Sequence, residues 1–171
     1  MPSVTLITKE QIQARVAEMG REISADYAGS NPIALCVLKG AMFFCSDLMR
    51  NISLDVALDF IQVSSYGSEK YSSGVVTILK EPQLEMTGRP VLIVEDIIDS
   101  GLSMREVFRY IESRGASMVR TATFLDKPAS RKVEFQANYV GFSIDPQFVI
   151  GYGLDYAERY RNIPEIQVLS E

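Results

Sequence analysis

The chain has 171 residues, with 17 basic and 22 acidic side chains, a formal net charge of -5 and no histidine. Its length predicts a single domain over 1–171, and its acidic balance argues against general nucleic-acid binding, which needs a basic surface. Without histidine, Ser-His triads and histidine metal sites are excluded. A metal ion would be held by oxygen ligands, which favours Mg²⁺ over zinc.

The first half of the chain alternates between helical and strand patterns. Thr8 and Gln11 have the spacing of a capping box, and apolar residues then recur at helical spacing over 12–27. The pattern next predicts a buried strand, a helix and a half-exposed strand, at 33–38, 40–51 and 54–60. The polar run 64–74, before another strand pattern at 75–79, predicts the tip of a long hairpin or lid, and the lid as a whole covers about 64–80.

The most informative stretch is a strand that leads into acidic residues. Val91–Val94 are β-rich and apolar, which predicts a parallel strand buried on both faces, and Glu95 and Asp96 follow directly. Apolar residues recur at helical spacing from Met104 to Ile111. The residues between, 99–103, therefore form a turn at the carboxyl end of a strand, which is where open α/β sheets bind ligands.

This turn has the composition of an anion site. Backbone amides at a helix start, with the hydroxyls of Ser100 and Ser103, suit a phosphate monoester. The carboxylates of Glu95, Asp96 and Asp99 would repel one another, which indicates a bound cation or ligand. The alternative is that Ser100 is an ordinary helix cap in an ordinary turn.

The remaining strand patterns complete an α/β architecture. They lie at 119–125, 139–144, 148–152 and 166–169. Strand–helix alternation through the middle of the chain predicts an open, mostly parallel sheet flanked by helices. The extended pieces near the carboxyl end predict a small hood over the sheet edge.

Four further candidates follow strands or stand near the end of the chain. Lys39 and Gly40 follow the first buried strand and suit a diphosphate, while Lys127 follows a later strand and can donate to a ligand carbonyl. Phe148 can stack on a planar base. Each has a simpler alternative: surface lysines for Lys39 and Lys127, a core aromatic for Phe148, and a surface ion pair for Asp155 with Arg161.

Cellular location is predicted from cysteines and apolar runs. Cys36 and Cys45 lie in apolar stretches, so we expect buried free thiols and a reducing compartment. The sequence shows no signal peptide and no apolar run near the roughly 20 residues that a membrane span needs. We therefore expect a cytoplasmic protein with no membrane partner.

The motifs at 91–101 and 149–161 resemble those of the hypoxanthine-guanine phosphoribosyltransferases of purine salvage, and the resemblance covers nearly the whole chain. It implies the type I phosphoribosyltransferase fold, with a hood formed from the terminal segments and a flexible lid hairpin. It also implies transfer of the 5-phosphoribosyl group from phosphoribosyl diphosphate to N9 of hypoxanthine and guanine. The products would be IMP or GMP and diphosphate, with Mg²⁺ as cofactor and a homodimer or homotetramer as the assembly.

The resemblance also implies a role for each matching residue. Asp99 would accept the proton of the purine. The ribose 5-phosphate would be bound by Glu95, Asp96, Ile97, Ile98, Asp99, Ser100, Gly101, Leu102 and Ser103, and the diphosphate by Lys39, Gly40 and Arg161. The purine would contact Lys127, Phe148, Val149 and Asp155, under a lid that carries Ser65 and Tyr66. The Mg²⁺ ligands would be Glu95, Asp96 and Asp155.

Three other functions remain open from the sequence. A phosphoribosyltransferase for xanthine would differ only in how it treats the 2-position, while Lys127 and Phe148 argue against a pyrimidine. A regulator that retains the fold would be expected to show a basic face or an added DNA-binding domain. A phosphate-binding domain without catalysis would leave the three clustered carboxylates unexplained.

Overall fold

The computed structural model describes residues 3–65 and 76–169. Its helices are α1 Lys9–Asp26, α2 Met42–Arg50 and α3 Leu102–Ser113, with a short 3-10 turn at Pro128–Ser130. Its strands are β1 Ser3–Ile7, β2 Ile33–Leu38, β3 Ala57–Ser65, β4 Val76–Lys80, β5 Pro90–Ile98, β6 Met118–Asp126, β7 Tyr139–Ser143, β8 Val149–Ile150 and β9 Ile166–Leu169.

The larger sheet has six strands in the order β4-β3-β2-β5-β6-β7. Strands β3, β2, β5, β6 and β7 run parallel to their neighbours, and β4 pairs with β3 in the antiparallel direction. This arrangement confirms the predicted open, mostly parallel sheet. It also sets the carboxyl ends of β2, β5 and β6 side by side, because those three strands are adjacent and parallel.

The central strands are buried on both faces, as predicted from Val91–Val94. Leu92 and Val94 pack into the core under α1 and α2, whereas Val91 and Ile93 pack into a second core under α3. Alternate side chains of a strand point to opposite faces, so one apolar run supplies both cores. The two layers hold β5, and with it the start of the acidic turn, in a fixed position.

The first helix begins where the sequence predicted. The Gln11 amide donates to Thr8 Oγ1 over 3.2 Å, and the Thr8 amide donates to Gln11 Oε1 over 2.8 Å. These two bonds form a capping box, which satisfies donors that a helix start leaves free. No helix in the described part of the chain is long and apolar enough to cross a membrane.

A second, three-stranded sheet joins both ends of the described chain. Its order is β1-β9-β8, with antiparallel pairing throughout. It packs on the α1/α2 side of the molecule through Ile7, Val149 and Ile166, which belong to that core. The segment 148–161 that follows from this sheet is thereby brought to the carboxyl edge of the large sheet, where it meets Lys39 and Gly40.

Some predicted boundaries were wrong. Strand β7, predicted among the extended pieces that form the hood, instead pairs with β6 as the edge of the large sheet. Strand β3 begins at Ala57, so residues 54–56 lie outside it, and α2 begins at Met42 instead of residue 40. The lid remains a prediction, because residues 66–75, including Tyr66, lie outside the described residues.

Candidate active site

Neighbouring parallel strands bring the predicted residues to one edge of the sheet. Lys39 follows β2, Glu95 and Asp96 lie in the last part of β5, and Lys127 follows β6. Strand β5 runs on to Ile98, so the carboxylate pair lies within the strand and not directly after it as predicted. Since β5 lies between the other two strands, its carboxylates stand between two lysines. This is the edge at which open α/β sheets bind their ligands.

The two adjacent carboxylates at the end of β5 are half-buried. The Asp96 amide donates to Glu95 Oε1 over 2.9 Å, and the Ile97 amide donates to Asp96 Oδ1 over 2.7 Å. Burial, followed by the charge of neighbouring Asp96, raises the pKa of Glu95 well above its usual range. Burial also raises the pKa of Asp96, although the positive charge of Arg161 opposes this rise. A cation beside the pair would offset both effects.

The donors at this position fit Mg²⁺. Glu95 and Asp96 present carboxylate oxygens, the hard ligands that Mg²⁺ prefers, and the histidine and thiolate donors typical of zinc sites are missing from this turn. Asp155, the third predicted ligand, is held differently. Its Oδ1 lies 3.3 Å from an Arg161 nitrogen, and its Oδ2 accepts the Glu158 amide over 2.8 Å.

The turn after β5 encloses a small cavity. Gly101 has a φ of 81°, in the left-handed region, and precedes the first residue of α3. The Leu102 amide donates to Ser100 Oγ over 3.3 Å, so Ser100 stabilises the turn while Gly101, not Ser100, is the capping residue. A cavity of about 100 Å³ is lined by Glu95, Ile97, Ile98, Asp99, Ser100, Gly101, Ser103 and Met104. Its position at a helix start suits a phosphate group.

Lys127 and Asp99 form a pair beside this cavity. Lys127 Nζ lies 3.4 Å from Asp99 Oδ2. The lysine is only 8% exposed, so the surface alternative for Lys127 is wrong. Asp99 is exposed, which leaves its carboxylate open to a ligand above the sheet edge.

Gly40 is packed so closely that any side chain there would require Asp96 or the loop to move. A Cβ on Gly40 would collide with Asp96 Oδ2, and a Cβ on Gly153 would collide with the Gly40 carbonyl oxygen. The β2–α2 loop is therefore held between the acidic end of β5 and the segment after β8. The peptide bond that enters this loop, Leu38–Lys39, is cis.

The segment after β8 brings Arg161 close to the β2–α2 loop. Arg161 donates to the Gly153 carbonyl oxygen over 2.6 Å and lies 3.3 Å from Asp155, so the ion pair given as the alternative for these two residues is present. Lys39 is exposed and reaches Glu158 Oε2 at 2.9 Å. Lys39, Gly40 and Arg161 are thus gathered beside the carboxylate pair.

The two other predicted purine contacts lie on the small sheet. Phe148 is 52% exposed, so the core alternative is wrong, and its ring meets Tyr156 edge-on with 5.7 Å between the ring centroids. Val149 is buried in β8. Ser65 is the last residue of β3, at the base of the predicted lid.

Two residues important to this geometry were missed from the sequence. Arg131 donates to the carbonyl oxygens of Ile98 over 3.1 Å and Asp99 over 2.9 Å, and it pairs with Asp126. It thereby links the ends of β5 and β6. Glu158 contacts both Lys39 and Arg161. Neither stands in a pattern that marks it, since Arg131 lies in an irregular loop and Glu158 is one charge among several.

An open α/β sheet with a small cavity, a carboxylate pair and flanking cations at its carboxyl edge has the chemistry that suits a phosphorylated sugar. The family described as "Phosphoribosyl transferase domain" matches residues 4–157, and the chain belongs to this family.

Named relatives lie in the hypoxanthine-guanine branch. A hypoxanthine-guanine phosphoribosyltransferase of Bacillus subtilis (strain 168) is 48% identical over 167 residues, which cover 96% of this chain and 91% of the relative. A crystal structure of a hypoxanthine-guanine phosphoribosyltransferase from Bacillus anthracis has a TM-score of 0.94 at 42% identity and covers 98% of both chains. The fold is therefore that of the type I phosphoribosyltransferases.

A third relative is much longer than this chain. The bifunctional protein TilS/HprT of Listeria monocytogenes (serotype 4b) is 48% identical over 164 residues, which are 96% of this chain and 25% of that protein. The chain thus spans about a quarter of the length of this bifunctional relative.

Proposed function

We propose that the protein transfers the 5-phosphoribosyl group of phosphoribosyl diphosphate to N9 of hypoxanthine or guanine, giving IMP or GMP and diphosphate. The observation that carries this proposal is the buried Lys127 held 3.4 Å from Asp99, beside the cavity at the end of β5. In this pair, Lys127 is the cation that would recognise the purine and Asp99 is the proton acceptor. Both lie at the sheet edge that suits a phosphorylated sugar. The names of the relatives support the same reaction.

The phosphosugar is held at the end of β5. The amides and hydroxyls of 99–103 bind the 5′-phosphate, and Glu95 and Asp96 face the ribose hydroxyls. Bond breaking at the anomeric carbon runs ahead of bond making, so the transition state resembles an oxocarbenium ion. The negatively charged carboxylates stabilise the positive charge that develops on the sugar in the transition state.

The leaving diphosphate is bound at the β2–α2 loop. Lys39, the Gly40 amide and Arg161 place positive charge and a backbone donor where the departing oxygens gain negative charge. Glu95 and Asp96 would hold Mg²⁺, with Asp155 on the diphosphate side once it exchanges its contact with Arg161. When bound, the ion supplies further charge stabilisation to the diphosphate.

The base is selected by donors and acceptors. Lys127 can only donate, so it matches the O6 of hypoxanthine and guanine, whereas an amino group at this position would face it donor to donor. Phe148 stacks on the purine, while the Val149 backbone contacts its edge. Asp99 accepts the proton that the base loses as N9 attacks.

Initial rates with phosphoribosyl diphosphate and Mg²⁺ test this function. Hypoxanthine, guanine, xanthine, adenine and uracil are offered separately, with and without a chelator. We expect turnover of hypoxanthine and guanine that is lost on chelation, and little use of adenine or uracil. Preference for xanthine would replace the proposed substrate. Binding of phosphoribosyl diphosphate without turnover of any base would favour the regulator.

A further inference from the structure

One carboxylate lies between the two cations that are assigned to the diphosphate. Glu158 Oε2 is 2.9 Å from Lys39 Nζ, and Glu158 Oε1 is 3.3 Å from an Arg161 nitrogen. The two oxygens of one side chain therefore bridge a lysine of the β2–α2 loop and an arginine of the segment after β8.

We propose that Glu158 is an internal stand-in for the diphosphate, which must leave Lys39 and Arg161 before a diphosphate can bind them. This inference rests on the assignment of the two cations in the proposed function. A carboxylate and a phosphoryl group both present anionic oxygens to cationic donors, so they compete for the same partners. Glu158 would then lower diphosphate affinity and speed its release.

The backbone around Glu158 is arranged to present this side chain. Ala157 and Glu158 have φ values of 51° and 63°, in the left-handed region that residues with a Cβ rarely adopt. The Glu158 amide is held by Asp155 Oδ2 at 2.8 Å, and Tyr156 and Arg159 close the turn with two backbone hydrogen bonds. The carboxylate is thus directed at the cations by a closed turn.

The contact is also reversible. The side chains of Glu158 and Lys39 are 64% and 57% exposed, so each can turn into solvent when a ligand arrives. Exposed ion pairs are weak, which means that a diphosphate with a higher charge can displace the carboxylate. Arg161, at 21% exposure, keeps its bond to the Gly153 carbonyl and stays in place.

Diphosphate affinity tests the proposal directly. Titration calorimetry of the folded protein with inorganic diphosphate and Mg²⁺ is run for wild type, Glu158→Gln and Glu18→Gln. Glu18 also pairs with an arginine, is 55% exposed and lies on α1, so its variant matches the charge change. We expect Glu158→Gln to lower the Kd for diphosphate by about three- to tenfold, and Glu18→Gln to leave it within about twofold.

A double-mutant cycle separates direct competition from a general effect of charge. In a Lys39→Ala background, Glu158→Gln should lower the Kd for diphosphate by a smaller factor, because one of the two cations for which Glu158 and diphosphate compete is absent. The role of Glu158 would be overturned if the Kd for diphosphate fell by the same factor in the Lys39→Ala background, or if it did not fall in the wild-type background. Either result would leave the proposed function unchanged. Failure of wild-type protein to bind diphosphate would instead overturn the cation assignment on which both rest.

Discussion

At the scale of single residues, the proposed function assigns the choice of base to Lys127. Its ammonium group is nearly buried and has Asp99 as its carboxylate partner, at 3.4 Å. We expect Lys127→Ala to lower kcat/KM for hypoxanthine by about 10- to 100-fold, because a hydrogen bond to a charged group contributes roughly 1.5–3 kcal/mol. Initial rates measure this loss.

The neighbouring Lys132 is the matched control for Lys127. It is exposed, and only its backbone amide contacts the turn after β5, where it donates to the Ser100 carbonyl over 2.9 Å. Lys132→Ala should keep wild-type kcat/KM. An unchanged kcat/KM in Lys127→Ala would refute the contact between Lys127 and the purine O6.

The proposed function assigns the proton transfer to Asp99. Asparagine keeps the shape of the side chain but cannot accept the proton, so Asp99→Asn should lower kcat by about 10²- to 10⁴-fold. Asp99 is exposed, so the melting temperature should stay close to wild type. Single-turnover kinetics report the chemical step without product release, and an unchanged single-turnover rate would exclude Asp99 as the acceptor.

At the scale of elements, the β2–α2 loop depends on a glycine. An alanine at Gly40 would place its Cβ against Asp96 Oδ2, so the carboxylate or the loop must move. Because the proposed function assigns Asp96 to the ribose and Gly40 to the diphosphate, we expect Gly40→Ala to lower kcat/KM by at least about tenfold. The measurement is kcat/KM at varied phosphoribosyl diphosphate.

Gly88→Ala is the control for Gly40→Ala. A Cβ at Gly88 meets no atom within 4 Å, although its φ of 72° makes the substitution strained. It should therefore lose about 1 kcal/mol of stability without a change in kcat/KM. Equal kcat/KM in the two variants would show that the contact between Gly40 and Asp96 has no functional importance.

Elements were predictable from the sequence where local chemistry determines them. The capping pair at Thr8, the apolar run of β2 and the double-sided burial of Val91–Val94 are each contained in a few consecutive residues. Strand β1 was not predicted, because its polar–apolar alternation over Ser3–Leu6 is short and its pairing with β9 joins opposite ends of the chain. The partner of β7 was wrong, since pairing depends on contacts between distant parts of the chain.

The site was predictable in its residues but not in its internal contacts. Motifs identified Lys39, Asp99 and Lys127, and adjacent parallel strands explain why they lie at one edge of the sheet. The bridge of Arg131 to the carbonyls of 98 and 99, and that of Glu158 to two cations, depend on how irregular loops fold back. No spacing rule predicts such contacts, because they join residues that periodicity does not relate.

At the scale of the whole molecule, one aromatic side chain of the large sheet contacts both α2 and the segment that follows the small sheet. Phe124 of β6 is fully buried, and its ring centroid lies 5.4 Å from that of Phe44, 5.7 Å from that of Phe142 and 4.8 Å from that of Tyr152. These partners belong to α2, to β7 and to the segment that follows β8. The prediction of a single domain therefore implies that the loss of this ring weakens both sheets together.

Phe124→Ala should lower the free energy of unfolding by about 3–5 kcal/mol, the usual cost of removing a buried phenyl ring. For a chain of this size, that corresponds to a fall of roughly 6–20 °C in melting temperature. Phe148→Ala removes the same ring from a position that is 52% exposed, so it should change the melting temperature little. Calorimetry should show one transition for both variants. A second, earlier transition in Phe124→Ala would mean that the small sheet unfolds separately and that the chain is not one cooperative domain.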